Sequence, residues 1–345
     1  MFDLIQTWIR KLDRAPRDVV GIDFGSSNIK CARLRRQNQK LILESAAFLP
    51  PFHMPADPDP AYIPPPLSLP RSLLAPYCAL VVPSELAVLK ILTFPGEFTA
   101  ETENQIVSHM GLDKPDEYRI NYKVLQYGTP RSESRVLAGA YPDRFAAVLP
   151  RLFPSGPPAP FSLEIAGLAS LSALLSLPDG GIGNGVVGSL EIETHSSVFA
   201  VFHRGLLVLI RKFNFGIDSL LSAIRQGLDV SPQIAYNLLS TGSIDVSQWT
   251  AGMVQPFVKQ LLVSRDFVER RENATLSRLF VCGAGARLAL IRKEIQQAFD
   301  MELREWNPLD GLTLSPHALS EEVQGEEGRL AAAVGAARAV LEGSS

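Results

Sequence analysis

Val19 to Leu34 reads VVGIDFGSSNIKCARL. An apolar run from Val19 to Phe24 meets Gly25-Ser26-Ser27 and is followed by a second run from Ile29 to Leu34, which predicts two strands joined by a tight turn. Glycine and serine at the tip lack the bulk that would hold backbone N–H groups away from a phosphate. Asp23, just before the turn, has the chemistry to hold a metal-bound water, and Lys30 has the reach for anionic oxygens. Taken alone, DFGSSNIK fits a phosphate hairpin and a plain tight hairpin equally well.

The rest of the chain supplies the context. With 345 residues, 46% of them hydrophobic and 20% charged, two compact lobes with separate cores are expected. A net charge of −3 with scattered basic residues points to no polyanionic partner, so nucleic acid is not expected. Cys31, Cys78 and Cys282 each lie in an apolar run without ligand spacing, as buried reduced thiols do, which implies a cytoplasmic setting. Neither a metal cluster, a membrane span nor a cleavable signal is legible.

At the start, Phe2, Ile5, Trp8, Ile9 and Leu12 share one face of an amphipathic helix, suited to docking on protein or to lying in a membrane interface. Strands are expected at Val19 to Phe24, Ile29 to Leu34 and Lys40 to Phe48. The proline-rich stretch from Pro50 to Pro70 excludes regular helix and predicts an extended, mobile connection. Beyond it the spacing predicts strands, a helix from Thr99 to Met110, further strands, and a helix from Pro142 to Leu152. The glycine-rich stretch Asp179 to Gly185 marks a lobe boundary. A second three-stranded pattern follows at Val186 to Ile192, Ser197 to His203 and Leu206 to Phe213, so the two halves read as a divergent duplication. Ser231-Pro232 opens one helix, and a long one is expected near Ser247 to Arg271.

In order and spacing the chain resembles the PilM family of type IV pilus assembly proteins, relatives of the division protein FtsA in the actin and DnaK-type chaperone superfamily. The resemblance rests on VVGIDFGSSNIKCARL, LAVLKILTFP, EYRINYKVL, VLAGAYPDRFAAVLP and FSLEIAGLASLSALL in the first half. In the second half it rests on IRKFNFGIDSLLSAI, RLFVCGAGARLALIRKEI and RLAAAVGAARA, and it covers nearly everything from Val19. It implies an α/β, actin-like (RNase H-like) two-lobed fold with a small α/β subdomain inserted in the first lobe. The implied layout is an N-terminal helix and linker (1–18), a first lobe (19–178), a second lobe (185–328) and a returning C-terminal helix (329–345). The first lobe holds the proline-rich connection (50–70) and an insert at about 95–153.

The same resemblance assigns Asp23, Gly25, Ser26, Ser27, Asn28 and Lys30 to a first phosphate loop, and Gly283 and Gly285 to an adenosine loop. It sets Glu191 opposite Asp23 as a paired carboxylate. The chain departs from the family pattern at three nucleotide positions. Glu191-Ile192-Glu193 replaces Asp-Ile-Gly, which puts a carboxylate where backbone must meet an anion. An unpaired charge buried there would cost roughly 3–5 kcal/mol. Ala235-Tyr236-Asn237-Leu238-Leu239 replaces Ala-Glu-x-x-Lys, and Gln260-Leu261-Leu262-Val263-Ser264 replaces Glu-Ile-Arg-Arg-Ser. Fourthly, the proline-rich stretch stands where the family has a helix on the first sheet, leaving open whether a late helix at Ser72 to Pro76 or another element covers that face.

The expectation is a pseudo-ATPase, not an enzyme, without ATP or Mg as a working cofactor. Its implied role is that of a cytoplasmic adaptor in pilus or related secretion machinery, peripheral to the inner membrane. The implied partner is a PilN-like single-span protein whose cytoplasmic peptide is held, extended, in a groove of the first lobe and its insert between about Leu86 and Leu152, with self-association left open. The alternatives are an active ATPase or phosphotransferase and an FtsA-like filament-forming division protein. His195 reads as a solvated turn residue, and Glu321, Glu322, Glu326 and Glu327 as a solvated acidic loop.

Overall fold

In the computed structural model the described residues are 16–178, 182–183 and 185–343. The N-terminal amphipathic segment and most of the glycine-rich boundary therefore lie outside the described residues. The chain divides into two compact units, Met1–Gly181 with Asn307–Ser345, and Ile182–Trp306.

The first unit begins with the expected meander, β1 (Asp18–Phe24), β2 (Ile29–Gln37) and β3 (Lys40–Leu49). After β4 (Tyr77–Val82) come β5 (Val88–Pro95), α1 (Ala100–Met110), β6 (Tyr118–Gln126) and β7 (Glu133–Pro142). The short α2 (Asp143–Ala146), β8 (Ala159–Ile165) and α3 (Ala166–Leu175) complete this part. The second unit holds β9 (Val186–Ile192), β10 (Ser197–His203), β11 (Leu206–Phe213), α4 (Ile217–Leu228), α5 (Pro232–Thr241) and α6 (Ser247–Glu272). It ends with β12 (Leu276–Cys282), α7 (Ala289–Phe299) and β13 (Leu303–Glu305), after which β14 (Thr313–Leu314) and α8 (Ala331–Glu342) return to the first unit.

Duplication is visible in the strand orders. The first unit's main sheet runs β14-β3-β2-β1-β4-β8 and the second unit's β11-β10-β9-β12-β13. In each, an antiparallel meander is followed by a parallel pairing with its own first strand, β1 with β4 and β9 with β12. The central strands are buried on both faces, which explains why VVGIDF and VVGSLEI read as unbroken apolar runs with single carboxylates.

The helix expected on the first sheet is not formed near Ser72, where only a single 3-10 turn, Arg71–Leu73, appears. The face that carries Val20, Phe24 and Arg33 is met instead by the proline-rich stretch and this turn, through the Phe52 ring against Phe24 and Ser72 O accepting from Arg33 Nη1. On the opposite face, with Val19, Ala32 and Leu34, lies α8, whose alanines permit backbone-level approach. A Cβ on Gly21 would stand 1.9 Å from Ala333 O, and one on Gly335 1.8 Å from Ala169 O, so β1, α8 and α3 are in near contact.

Three boundaries need correction. Residues from Asn307 onward, expected in the second lobe up to 328, pack with the first unit. β14 extends its sheet beside β3, while Leu309, Ala318, Val323 and Leu330 enter its core. The helix expected from Pro142 to Leu152 is broken into α2 and a 3-10 turn, Leu149–Leu152. Pro150 accounts for the break, since it lacks an N–H and its ring clashes with the preceding turn of an α-helix.

The inserted subdomain is the three-stranded sheet β5-β7-β6 with α1 on one face. It starts with β5 at Val88, earlier than the expected position near 95. Thr99 caps α1: its Oγ1 accepts from Thr102 N, and Thr102 Oγ1 accepts from Thr99 N, a capping box with threonine in the usual place of glutamate.

Candidate functional site

Asp23 on β1 lies in register with Lys30 on β2. Lys30 Nζ donates to Asp23 Oδ2 at 3.0 Å, and the two residues are 3% and 4% exposed. Charges this deep in protein are tolerated because each neutralises the other. A Cβ on Gly25 would lie 2.9 Å from Asn28 O and 3.0 Å from Lys30 Nζ, so the lysine is folded against the turn and glycine is required there. Ser26 and Ser27 face solvent. Asn28 Oδ1 accepts from Arg329 Nη2 at 3.1 Å, and that guanidinium lies 4.6 Å over the Phe48 ring. All six residues assigned to the first phosphate loop are thus brought together, with Lys30 and Asn28 engaged by protein groups.

In the second unit, the loop after β12 packs on the end of β9. A Cβ on Gly283, whose φ is +85°, would meet Ile192 O at 2.5 Å and Glu193 Oε1 at 2.9 Å, and one on Gly285 would meet Ile192 Cγ2 at 2.3 Å. Gly283, Gly285, Glu191 and Glu193 are therefore neighbours. Glu191 is 6% exposed on β9, opposite Val198 and Cys282.

The turn after β9 spends its polar groups internally. Glu193 N donates to Ser196 O at 3.0 Å, while the carbonyls of Glu193 and Thr194 accept from Ile217 N at 3.1 Å and Asp218 N at 2.9 Å. Those two N–H groups open α4, so the anion-attracting end of that helix is already satisfied by the turn. Of the nucleoside positions, Tyr236 and Val263 are about half exposed, Gln260 is exposed, and Leu239 is buried in the unit's own core. His195 is exposed, as expected for a turn residue. Among the described residues no group of three or more His, Cys, Asp or Glu is placed to hold a metal.

A pocket whose residues the sequence does not single out lies in the first unit, between the inserted sheet and the β8–α3 segment. Its cavity volume is about 50 Å³, partly open to solvent, which is room for a side chain rather than for a whole small-molecule ligand. Strand alternation builds it. Val136, Ala138 and Ala140 of β7 face α1 with Leu92, Phe94, Ile106 and Met110, whereas Leu137, Gly139 and Tyr141 face the pocket. Leu163, Glu164 and Ile165 of β8 and Leu168 of α3 form the other wall.

Arg119, Asn121 and Tyr122 of β6 bring polar groups to the rim. Desolvation first, and then a hydrogen bond with Glu103, pushes the Tyr122 phenol up to about 12. Burial, followed by the charge of Glu85, pushes Tyr141 up as well. The Tyr122 hydroxyl is thus engaged by Glu103 of α1, and Tyr141 is buried in the pocket wall. The sequence does not single these residues out because both faces of β7 are apolar, and only Gly139, a gap in the middle of a strand, signals an open face.

No helix among the described residues is long and apolar enough to cross a membrane. No protein-family model and no curated protein matches the chain. Among solved structures, a chain of the PilM-PilN type IV pilus biogenesis complex matches with a TM-score of 0.74 at 16% identity, over 94% of this chain and 98% of that one. A Bacteroides thetaiotaomicron protein of unknown function with an actin-like ATPase fold gives 0.46 at 11% identity, over 87% and 96%. Ta0583, an archaeal actin homolog, gives 0.45 at 11% identity, over 94% and 99%. Only the first of these carries weight. At that identity the likeness speaks for fold, and it gives this chain the α/β, actin-like fold that its resemblance to PilM proteins implies.

Proposed function

We propose that this chain is a cytoplasmic adaptor of type IV pilus or related secretion-system assembly, which receives the cytoplasmic tail of a single-span inner-membrane protein. The observation that carries this reading is the pocket walled by Leu137, Gly139 and Tyr141 on one side and Leu163, Ile165 and Leu168 on the other. It has an apolar floor for side chains, the rim of strand β6 for main-chain contacts, and Arg119 and Asn121 to fix direction, a combination suited to an extended peptide. The match to a chain of the PilM-PilN complex supports the choice of a PilN-like partner.

Nucleotide chemistry is absent from this reading. Lys30 is held by Asp23, the Glu193 turn has its N–H and carbonyls engaged, and Glu193 sets a carboxylate beside the Gly283 loop. Within each unit, then, groups the resemblance assigns to a nucleotide are already engaged by protein. Against this, the solvent-facing Ser26-Ser27 tip keeps a second reading alive, that of an active ATPase or phosphotransferase, and a Mg-ATP titration separates the two.

A free tail peptide binds modestly, because ordering a flexible segment costs about 2–5 kcal/mol. Attachment of both proteins at the membrane raises local concentration and offsets this. The test is to purify a tagged copy from its native cell, identify co-purifying single-span proteins, and titrate a synthetic peptide of the tail into the full chain. Micromolar to sub-millimolar binding to such a tail supports the adaptor. Absence of any single-span partner contradicts it.

A further inference from the structure

The proline-rich stretch forms neither helix nor strand, as expected, but it is fastened at several points. The Phe52 ring lies edge-on to Phe24 at 6.2 Å. Arg144 donates to Asp57 at 2.6 Å, and Arg151 Nη1 donates to the carbonyls of Pro60 at 2.7 Å and Tyr62 at 2.8 Å. Leu67 N donates to Leu152 O at 2.9 Å, and Pro58 and Pro64 are buried. The strap is thus clamped to α2 and the 3-10 turn that follows it. Between the clamps Ile63 is 81% exposed, and Pro65 and Pro66 also face solvent.

Two properties make Ile63 to Pro66 more than a connection. Three successive prolines fix their own φ and bias each preceding residue to extended conformation, so the run is held in polyproline II form with no N–H to offer. Pro70, at φ −54° and ψ 148°, ends the strap in the same conformation. Clamping from beneath leaves little freedom to lose on association, which favours binding. The ridge also carries direction. Exposed Asp59 precedes it and exposed Arg71 follows it, so a reader needs a basic group at one end and an acidic group at the other.

We propose that Ile63, Pro65 and Pro66 form a preorganised docking ridge for a protein surface with aromatic-lined slots, whose indole or phenol donors meet the strap carbonyls. This surface is separate from the Gly139 pocket and gives the chain a second partner.

The test places a photo-crosslinking benzoylphenylalanine at exposed Ser68 of the full chain in its native cell, with His53 of the same strap as control. The expected result is one adduct at Ser68 that is absent at His53. The captured protein, once purified, binds the full chain and is displaced by a peptide spanning residues 61–70. Its affinity falls at least tenfold in the surface variant Pro65→Ala/Pro66→Ala, in Ile63→Asp and in Arg151→Ala, but is unchanged in Gly139→Leu. Circular dichroism and melting verify that the proline variant stays folded, since both side chains face solvent. The proposal is overturned by no adduct at Ser68 beyond the control, by affinity indifferent to the two prolines, or by loss in Gly139→Leu. Full affinity in a folded Arg151→Ala variant overturns the preorganisation.

Discussion

Lys30 Nζ and Asp23 Oδ2 lie 3.0 Å apart on facing positions of β1 and β2, both out of solvent. The two side chains hold one another across the β1–β2 pair. Breaking a buried ion pair is destabilising, by as much as about 3–5 kcal/mol where the remaining charge is left uncompensated. Asp23→Asn and Lys30→Met should each lower unfolding free energy in urea titrations, while the double variant should lose less than the sum of the two single losses. Equal stability of Asp23→Asn and the parent chain would contradict the pairing. Any activity lost in Asp23→Ala must accordingly be separated from loss of fold.

Mg-ATP should bind no tighter than about 1 mM, near −4 kcal/mol, by calorimetry. Glu193→Gly removes the repelling carboxylate but leaves Glu193's backbone N–H on Ser196 O and α4's first donors on the turn carbonyls, so it alone should not restore binding. A micromolar dissociation constant in either chain favours the ATPase reading.

The near contact of α8 with α3 makes Gly335 a position without spare room. Gly335→Ala drives a methyl to within 1.8 Å of Ala169 O and should destabilise by at least about 2 kcal/mol, within the usual range for overpacking. Gly252→Ala on α6, where a Cβ meets nothing within 4 Å, should stabilise by about 0.5–1 kcal/mol. Thermal melts of the two variants should therefore shift in opposite directions, and a shared direction would contradict the packing described.

Burial first, then the charge of Asp23, pushes the Cys31 thiol up from 9.0, and burial with Cys31 nearby does the same for Cys78. A folded pKa above the unfolded one means that both thiols contribute full stability below about pH 9, and that this is lost as pH rises above it. Melting temperature should fall on the alkaline side of pH 9, less so in Cys31→Ala/Cys78→Ala when compared with that variant's own neutral value. A maleimide added at pH 8 should label neither residue until denaturant is present.

Much of the fold is legible in the residues. Both meanders announce themselves because central strands are apolar throughout and their turns are short and polar. Ser231 and Pro232 mark the start of α5 by the chemistry of the cap, and Ser231 Oγ accepts from Ile234 N. Residues from Asn307 to Leu330 are not legible in this way. They contribute one two-residue strand and scattered single anchors, Leu309, Ala318 and Val323, so no periodicity reveals which core they join. Leu239 reads as a lost nucleoside contact, yet it is a core residue, because a sequence window cannot show which face of α5 turns inward. The Gly25-Ser26-Ser27 hairpin is legible as a set of residues, whereas the closure of Lys30 onto Asp23 depends on strand register.

The adaptor account is tested most directly at Gly139. Its Cβ would make ordinary contacts, 3.4 Å from Ile165 Cδ1 and 3.5 Å from Leu89 Cδ2, so alanine fits while leucine fills the pocket. The measurement is a calorimetric titration of the co-purified partner's tail peptide into the parent chain, Gly139→Ala and Gly139→Leu, each confirmed folded by circular dichroism. The account predicts similar affinity for the first two and at least a tenfold loss for Gly139→Leu. Undiminished binding by a folded Gly139→Leu chain would contradict it.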